Sequence, residues 1–458
     1  MSADKHHQYV FPDDSRWDDA RLSWNLAADL RPAVVVLPIT VEDVVGAVQY
    51  AGERDLSVVV QGTGHGASVH GSLDGTLLLN MREMRAVEID AQNRRARVEA
   101  GALWEDVVAP ANEQGLTALH GSSPNVGVVG YSLGGGIGWL ARKHGLSAES
   151  VLAVEVVTAD GTLLRADRTQ NTDLFWALRG GGGGLGVVVA MEIALYEVED
   201  LVAGMMIWPW ERSEEVLTAY VEWAETAPNA VSTSARMLQI PPLPDIPEFI
   251  RGRQIVVIDG AVLGTEDEAN EILAPFRELA PEIDTFATVT PAALIRLHMD
   301  PEPPMPGKGD GFLIDDLDAD AVKAIVEIAG PGTESPLVMV ELRQLGGTLR
   351  ERRPGAGALG ALDGSFAFYS VGVPMGPGAA EAIESRIAAI KGALAPWSRG
   401  KTYLNFAEKN VTIGDAVGAE AFARLAQVKE SVDPDGRFRS GHTFATATAV
   451  AGGEAVAA

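Results

Sequence analysis

A histidine stands inside a short loop that is built from small residues. The loop reads Gln61-Gly62-Thr63-Gly64-His65-Gly66-Ala67-Ser68, and apolar runs at 57–60 and 76–79 lie on either side of it. Small residues let the backbone approach a bound group closely, and their N–H groups can hold phosphate oxygens. The pattern therefore predicts a cofactor site in which His65 is a candidate for covalent attachment.

Three other interpretations of this loop stay open. Gly62, Gly64 and Ala67 fit the dinucleotide fingerprint, but that motif needs a helix at the loop, and a second apolar run follows here. His65 and His70 are of the type that binds metals, yet no third ligand is nearby and we expect no metal site. The loop could also be an ordinary glycine-rich turn with a solvent-facing histidine.

A second pattern suggests a different chemistry. Gly130-Tyr131-Ser132-Leu133-Gly134 fits the nucleophile elbow of serine hydrolases, and His442 lies late in the chain, as their base does. The elbow needs a strand, a sharp turn and a helix. The flanking sequence is too glycine-rich to predict either element, so a hydrolase through Ser132 remains a remote alternative.

Composition limits the class of protein. The chain has 458 residues, no cysteine and a net charge of −27, with a mean hydropathy of +0.08. This length predicts two or three domains, and the lack of cysteine excludes disulfides and cysteinyl cofactor links. The negative charge argues against nucleic acids and anionic membranes as partners. With no leader-like N-terminal pattern and no membrane-length apolar run, we expect a cytoplasmic protein.

The order of the elements changes along the chain. Up to about residue 200, short strand and helix patterns alternate, and a glycine-rich tract covers 121–138. Longer strand patterns follow at 205–210, 235–240, 254–262, 338–345 and 366–373, with amphipathic helices such as 212–226 between them. We expect these strands to form a broad antiparallel sheet that walls a substrate cavity, with proline-rich loops at 241–247 and 301–306 as its rim.

Further motifs occur in a characteristic order. They are Arg21-x-x-Trp24-Asn25, the His65 loop, Gly121-Ser122-Ser123-Pro124-Asn125, Gly134-Gly135-Gly136-Ile137-Gly138, Thr158-Ala159-Asp160-Gly161, Asp173-Leu174-Phe175-Trp176, Tyr403-Leu404-Asn405-Phe406 and Asp433-Pro434. This order resembles that of the berberine bridge enzyme-like flavoproteins, a branch of the vanillyl-alcohol oxidase superfamily. The resemblance implies an α+β fold, with an FAD-binding domain of the vanillyl-alcohol oxidase type and a substrate domain that has a large antiparallel sheet and covering helices.

The resemblance also implies domain boundaries. The N-terminal part of the FAD-binding domain is expected over 1–200 and the substrate-binding domain over 201–400. Residues 401–446 are expected to return to the FAD-binding domain, and 447–458 to form a disordered tail.

The family assigns roles to residues of the cofactor site. In its members the histidine of the first loop is bonded to the 8α-methyl group of FAD, and His65 occupies that position. Ser123 stands where many members carry a second, cysteinyl bond, so attachment is expected through His65 alone. The expected FAD-binding residues are Gln61, Gly62, Thr63, Gly64, His65, Gly66, Ser68, Ser122, Ser123, Val126, Gly127, Gly130, Tyr131, Gly135, Gly138, Val188 and Asn405.

The family also suggests catalytic positions. Tyr403 matches a position where some members use tyrosinate to take a proton, although a buried, packed tyrosine is an equally good interpretation. Tyr131 and Tyr369 are weaker candidates. On the strand pattern 338–345, alternation places Glu341 and Arg343 on one face and Gln344 on the other.

The expected function is that of an FAD-dependent oxidase. Such an enzyme removes hydride from a C–H next to oxygen or nitrogen in a small organic substrate, namely an alkaloid, amine, sugar or aromatic natural product. Molecular oxygen then accepts the electrons, because the small Val126 lies where the family controls access of oxygen to the flavin. A flavin dehydrogenase with another acceptor and a non-redox flavoprotein cyclase are the alternatives.

Overall fold

The computed structural model describes residues 8–444, so the expected tail at 447–458 lies outside the described residues. The chain begins with a four-stranded sheet whose strand order is β1-β2-β4-β3. Its strands are β1 (Tyr9–Val10), β2 (Val34–Val36), β3 (Ser57–Gln61) and β4 (Thr76–Asn80), and its helices are α1 (Trp17–Ala20) and α2 (Val41–Glu53). Strands β2, β3 and β4 are parallel. The loop predicted at 61–68 therefore leaves the sheet at the carboxyl end of β3.

A five-stranded antiparallel sheet follows, in the order β5-β6-β9-β7-β8. Its strands are β5 (Val87–Asp90), β6 (Arg95–Glu99), β7 (Val151–Val157), β8 (Leu163–Asp167) and β9 (Val187–Ala194). The helices around it are α3 (Trp104–Glu113), α4 (Val128–Leu133), α5 (Ala141–His144), α6 (Ser147–Ser150) and α7 (Thr172–Ala177). Helix α4 lies within the tract 121–138, which was expected only as a glycine-rich tract.

The third sheet is larger and antiparallel, in the order β13-β10-β12-β11-β16-β17-β15, with β14 paired to β10. Its strands are β10 (Leu201–Pro209), β11 (Val231–Gln239), β12 (Gln254–Leu263), β13 (Ile283–Asp284), β14 (Ala287–Thr288), β15 (Lys308–Ile314), β16 (Met339–Gln344) and β17 (Phe366–Gly372). The intervening helices are α8 (Ser213–Thr226), α9 (Glu266–Glu278), α10 (Ala319–Ala329) and α11 (Ala379–Ala393). The predicted antiparallel sheet with covering helices is confirmed, and β10 and β11 each start four residues earlier than expected.

The two faces of this sheet differ in character. Ala235, Ile258, Leu342 and Phe368 face the helices and belong to one buried apolar cluster. Their strand neighbours face the opposite side because successive side chains alternate across a sheet. That opposite face turns toward the two smaller sheets and carries the polar groups described below.

The last described elements are α12 (Gly414–Val417) and α13 (Ala419–Val432). After α13 the chain runs beside β3: the Val58 N–H donates to the Arg437 carbonyl at 2.7 Å, and the Arg439 N–H donates to the Val58 carbonyl at 2.9 Å. Lys429 donates to the carbonyls of Gly184 and Phe438. The end of α13 and the segment that follows it are therefore tied to the N-terminal sheets. No helix within residues 8–444 has the length and apolar character needed to span a bilayer.

Candidate active site

A cavity of about 1130 Å³ lies between the loops of the two smaller sheets and one face of the large sheet. Pockets for drug-sized ligands usually measure about 300–1,000 Å³. The cavity therefore has room for a dinucleotide-sized group together with a small substrate.

Most of the expected cofactor residues line this cavity. They are Gln61, Gly62, Thr63, Gly64, His65, Gly66, Ser122, Ser123, Val126, Gly127, Gly130, Tyr131, Val188 and Asn405. Sequence positions more than a hundred residues apart thus meet at one site, as the family resemblance implied.

Three expected cofactor residues lie outside the cavity lining: Ser68, Gly135 and Gly138. A Cβ on Gly138 would lie 1.9 Å from the His120 carbonyl oxygen, and one on Gly135 would lie 2.8 Å from the side chain of Leu359. Both glycines are therefore required by close packing of the protein itself. Ser68 lies in the 3-10 turn Ala67–His70, in which Ala67, Val69 and His70 reach the cavity instead.

His65 is held in place from two sides. Its ring stacks on Trp24 with the ring centroids 4.2 Å apart, and its Nδ1 lies 2.8 Å from the Thr63 hydroxyl. Burial lowers the pKa of His65 to about 4, so the imidazole is neutral at physiological pH. A neutral, oriented imidazole keeps a nitrogen lone pair, which a bond to carbon requires.

The backbone around His65 fits a phosphate-bearing group. Gly66, Gly130 and Gly183 line the cavity, and a Cβ added to any of them would meet no protein atom within 4 Å. In addition, the buried Gln61 Oε1 and the Tyr131 hydroxyl have no hydrogen-bond partner within the described residues. A ligand such as FAD would fill the open space against these backbone segments and would supply hydrogen-bond partners for the unpaired polar atoms.

No group of three or more His, Asp or Glu side chains within residues 8–444 is arranged to hold a metal ion. His65 is instead engaged with Trp24 and Thr63, as described above. The geometry therefore does not support the metal interpretation of His65 and His70.

The geometry does not support Tyr403 as the base. Its side chain is 1% exposed, and its hydroxyl accepts hydrogen bonds from the Gly136 N–H at 2.9 Å and from Asn405 Nδ2 at 3.1 Å. Burial raises the pKa of Tyr403 despite these donors. Burial also raises the pKa of Tyr369, so the pKa does not distinguish the two tyrosines. The two donors to the Tyr403 hydroxyl oxygen favour the alternative interpretation, in which Tyr403 packs the site and supports the glycine tract. Asn405 Nδ2 also donates to the Tyr131 carbonyl at 2.9 Å.

The cavity face of the large sheet carries a buried ionic cluster. Asp259 Oδ2 lies 2.5 Å from Arg236 Nη2 and 2.8 Å from His298 Nδ1. Glu341 Oε1 accepts from Arg343 Nε at 2.7 Å. Opposite charges thus compensate one another, as buried charges must.

Within this cluster Glu341 is fixed as a carboxylate. Burial alone would raise the pKa of Glu341, but Arg343 and His298 together hold it far below its usual range. For His298, burial and Arg236 would lower the pKa, whereas Asp259, Asp300 and Glu341 together raise it. A carboxylate with so low a pKa is a weak base, so the cluster is suited to positioning a substrate.

The strand alternation predicted here is confirmed. Glu341 and Arg343 line the cavity, whereas the Gln344 amide donates to the Ala224 carbonyl in α8, on the helix side of the sheet.

Tyr369 and Glu408 form a second polar group beside this cluster. The Tyr369 hydroxyl donates to Glu408 Oε1, while Glu408 Oε2 accepts from the Gly309 N–H at 3.0 Å. Gly309 leaves room for the pair, because a Cβ there would lie 2.7 Å from the Tyr369 hydroxyl. Burial raises the pKa of Glu408, which brings this carboxyl nearer to neutrality than an exposed glutamate.

Sequence reasoning missed Glu408, His298, Arg236 and Asp259 as site residues. Glu408 had one available signal, since it follows the Tyr403–Asn405 motif by three residues. His298 sits before Met299, whose φ of +58° is rare for a residue with a side chain. That turn places both His298 and Asp300 at the cavity.

The hydrolase interpretation does not fit the structure. Ser132 lies inside α4, and its buried hydroxyl donates to the Val128 carbonyl at 2.8 Å and lies 3.0 Å from the Ser147 hydroxyl. The strand–turn–helix of an elbow is missing at this position, because α4 is preceded by Gly127 in an extended loop. His442 lines the cavity, but Ser132 does not.

The family described as "FAD binding domain" matches residues 32–167. The chain carries an FAD-binding domain. The architecture of the chain is that of the vanillyl-alcohol oxidase-type FAD proteins.

Two curated relatives match part of the chain. (R)-6-hydroxynicotine oxidase of Paenarthrobacter nicotinovorans is 34% identical over 208 residues, which are 45% of this chain and 45% of that protein. Glucooligosaccharide oxidase of Sarocladium strictum is 35% identical over 227 residues, which are 48% of this chain and 45% of that protein. The aligned parts therefore span about half the length of these relatives.

Solved structures match over nearly the whole chain. The crystal structure of 6-hydroxy-D-nicotine oxidase from Arthrobacter nicotinovorans superposes with a TM-score of 0.81 at 25% identity, covering 96% of this chain and 97% of that one. A berberine bridge enzyme-like protein of Physcomitrella patens superposes with a TM-score of 0.83 at 21% identity, covering 96% of each chain. At 21% identity, the similarity to the second structure shows a shared fold only.

Proposed function

We propose that this protein is an FAD-dependent oxidase. It removes hydride from a C–H bond next to oxygen or nitrogen of a small organic substrate. The electrons then pass to molecular oxygen, which gives hydrogen peroxide. One observation carries the proposal: a single cavity joins the His65 loop and its glycine cradles to the polar face of the large sheet. Bound FAD would supply the acceptor for the hydride. The two relatives named as oxidases of 6-hydroxynicotine and of glucooligosaccharides support this class of reaction.

His65 is the proposed point of covalent attachment, through one imidazole nitrogen and the 8α-methyl carbon of FAD. The stacking on Trp24 and the contact with Thr63 fix the direction of the ring. Its lowered pKa, caused by burial, keeps the ring neutral and nucleophilic. Ser123 lines the same cavity but has no thiol, so it offers no second bond.

The Tyr369–Glu408 pair is the proposed proton acceptor, in place of Tyr403. As hydride leaves the substrate carbon, the substrate O–H or N–H proton passes to the Tyr369 oxygen, and the phenolic proton moves to Glu408 along the existing hydrogen bond. No net charge remains on Tyr369. A carboxylate whose pKa is raised by burial is better matched to this task near neutral pH than an exposed one.

Oxygen is the proposed electron acceptor because Val126, a modest side chain, lines the cavity beside Gly127 and Gly130. The proposal is tested by mixing photoreduced protein with oxygenated buffer in a stopped-flow instrument. We expect reoxidation faster than that of free flavin, with peroxide formed. A rate no faster than that of free flavin would favour a dehydrogenase.

The cofactor assignment is tested by acid precipitation of the purified yellow protein. We expect the colour to stay in the pellet of the wild type and to move to the supernatant for His65→Ala. Ser123→Ala is the matched control and should leave the colour in the pellet. Colour released from the wild-type protein contradicts the covalent bond but not FAD binding, whereas a colourless protein that takes up no FAD contradicts the proposed function.

A further inference from the structure

We infer that the substrate carries an apolar, hydrocarbon-like body beside its reacting alcohol or amine group, and that it is not a carbohydrate. This inference rests on the proposed function and names the substrate class for the same site. It follows from how polar and apolar side chains are distributed over the cavity face of the large sheet.

Neighbouring strands place residues of this face in rows. One row runs Ile207, Val257, Arg236, Glu341 and Tyr369, from β10 through β12, β11 and β16 to β17. The row is apolar at its β10 end and polar at its β17 end. The reacting end of a substrate therefore belongs near Tyr369, and its remaining part extends toward β10.

The adjacent row is apolar over four strands. It runs Ile255, Leu238, Met339 and Val371, all of which line the cavity. Leu238, Met339 and Val371 of this row are half-buried, whereas Ile207, Ile255 and Val257 are at most 1% exposed and pack as the floor beneath them. We call the part of the cavity lined by Leu238, Met339 and Val371, with Met205 at its β10 edge, the aliphatic arm.

The connection between β11 and β12 covers this arm. Leu243, Ile246 and Ile250 on that connection line the cavity, and Ile246 and Ile250 pack with the strand residues in one apolar cluster. Aliphatic side chains from a sheet and from Ile246 and Ile250 of the loop thus line the arm, with Leu243 exposed at its outer edge, and such a surface matches a hydrocarbon.

Two polar residues also line this region, but neither serves a buried sugar. The Gln239 amide nitrogen donates to the carbonyls of Ser335 and Leu337, and its oxygen accepts from Gln254. Asp245 lies on the exposed part of the connecting loop.

A sugar would be poorly bound in the aliphatic arm. Each buried hydroxyl group that loses water without gaining a partner weakens binding by about 5- to 150-fold. Sugars also favour flat aromatic surfaces, but Tyr369 and Phe406 line the cavity at its polar end and not in the aliphatic arm. A hydrocarbon, by contrast, gains about fourfold in affinity for each methylene that it buries.

The test measures binding to the flavin-loaded protein, so it does not require turnover. Linear alkan-1-ols from about C4 to about C8, which differ by single methylenes, are titrated while the flavin absorbance spectrum and the thermal midpoint are followed. Cellobiose and N,N′-diacetylchitobiose are titrated in parallel. We expect the dissociation constant of the alkanols to fall about fourfold per added carbon and the disaccharides to cause no saturable change.

Variants locate the effect in the aliphatic arm. Leu238→Thr should weaken binding of the longest alkanol about tenfold, and Leu238→Met, which conserves volume, should leave it within about threefold. Leu163→Thr, at an exposed leucine on β8 outside the cavity, is the matched control and should behave as the wild type.

The outcomes separate this inference from the proposed function. Saturable disaccharide binding, or alkanol affinity that is independent of chain length or unchanged in Leu238→Thr, overturns the inference while leaving oxidase activity intact. Chain-length-dependent binding supports the inference even if none of these alcohols is oxidised. Failure of every oxidisable alcohol and amine to reduce the flavin contradicts the proposed function instead.

Discussion

Tyr369 and Tyr403 both line the cavity, and their hydroxyl groups have different partners. The Tyr403 hydroxyl accepts from a backbone N–H and from Asn405, so it stabilises a fixed loop. The Tyr369 hydroxyl donates to Glu408, so it has a route by which a proton can leave. Residue type alone does not distinguish these roles, whereas the direction of each hydrogen bond does.

Replacement of Glu408 should therefore impair catalysis more than replacement of Tyr403. We expect Glu408→Gln to lower kcat by about 10²–10⁴-fold, the usual contribution of a general base, and Tyr403→Phe to lower it by less than about tenfold. Both variants should retain the flavin spectrum. The measurement is single-turnover flavin reduction by a saturating substrate.

The pH profile distinguishes a proton acceptor from a merely structural residue. In the wild type the rate should rise with pH as Glu408 ionises, above the usual range of a glutamate because burial raises its pKa. Glu408→Gln should lose this rising limb, and Glu430→Gln, at an exposed glutamate of α13, should keep it. An unchanged limb in Glu408→Gln would rule out the assignment.

At the scale of elements, the His65 loop and the large sheet could be predicted from the sequence. Small residues between two apolar runs predict a cofactor-binding loop from the local sequence alone. The alternation along the strand fixes the relative faces of Glu341, Arg343 and Gln344. Alternation does not tell which face meets a cavity, and that depends on where α8 packs.

The ionic cluster could not be predicted in the same way. Arg236 and Asp259 are 23 residues apart, and Tyr369 and Glu408 are 39 apart. Their contacts depend on the order of the strands in the sheet and on the return of the C-terminal segment to the cavity. No local sequence pattern indicates either of these. Gly135 and Gly138 were predicted to bind the cofactor but lie outside the cavity lining, because a glycine needed by the cofactor and one needed by packing look alike in sequence.

The two glycines that flank His65 make this distinction testable. Gly64 has a φ of +84°, and a Cβ there would lie 2.5 Å from the Ser23 Cβ. Gly66 has a φ of −90°, and a Cβ there would meet no protein atom within 4 Å. Gly64 therefore shapes the loop, whereas Gly66 leaves space that we assign to the cofactor.

We expect Gly64→Ala to lower the thermal midpoint of the FAD-free protein, because the left-handed backbone alone costs about 1–2 kcal/mol and the clash with Ser23 adds to this. Gly66→Ala should leave that midpoint unchanged but reduce the amount of FAD retained. Thermal unfolding of the FAD-free proteins and the flavin-to-protein absorbance ratio after reconstitution are the measurements. Full FAD retention in Gly66→Ala would show that the loop does not approach the cofactor there.

At the scale of the whole molecule, burial of histidine couples stability to pH. Five of the six histidines that the structure describes have a pKa lowered chiefly by burial: His65, His70, His120, His144 and His442. For the first three the value is about 4. His298 and Glu408 have raised pKa values and act in the opposite direction.

The sign of this coupling follows from proton counts. Below about pH 6.5 the unfolded chain protonates its histidines, but the folded protein leaves His65, His70 and His120 neutral until about pH 4. The unfolded state then binds more protons, so the free energy of unfolding falls as the pH decreases through this window. His298 stabilises the folded protein at low pH, and this contribution is lost as the pH rises through its raised pKa. Glu408 acts in the same direction, but these are two groups against five histidines.

Urea unfolding at about pH 7 and about pH 5, above the range in which ordinary carboxylates titrate, should therefore show a lower midpoint at the lower pH. His120→Asn removes one of the fully buried imidazoles at a position outside the cavity, and it should reduce the difference between the two midpoints whatever its effect on each. A midpoint that is equal or higher at about pH 5 would mean that His298 and Glu408 outweigh the five histidines, and the polar face of the large sheet would then dominate the acid response of the molecule.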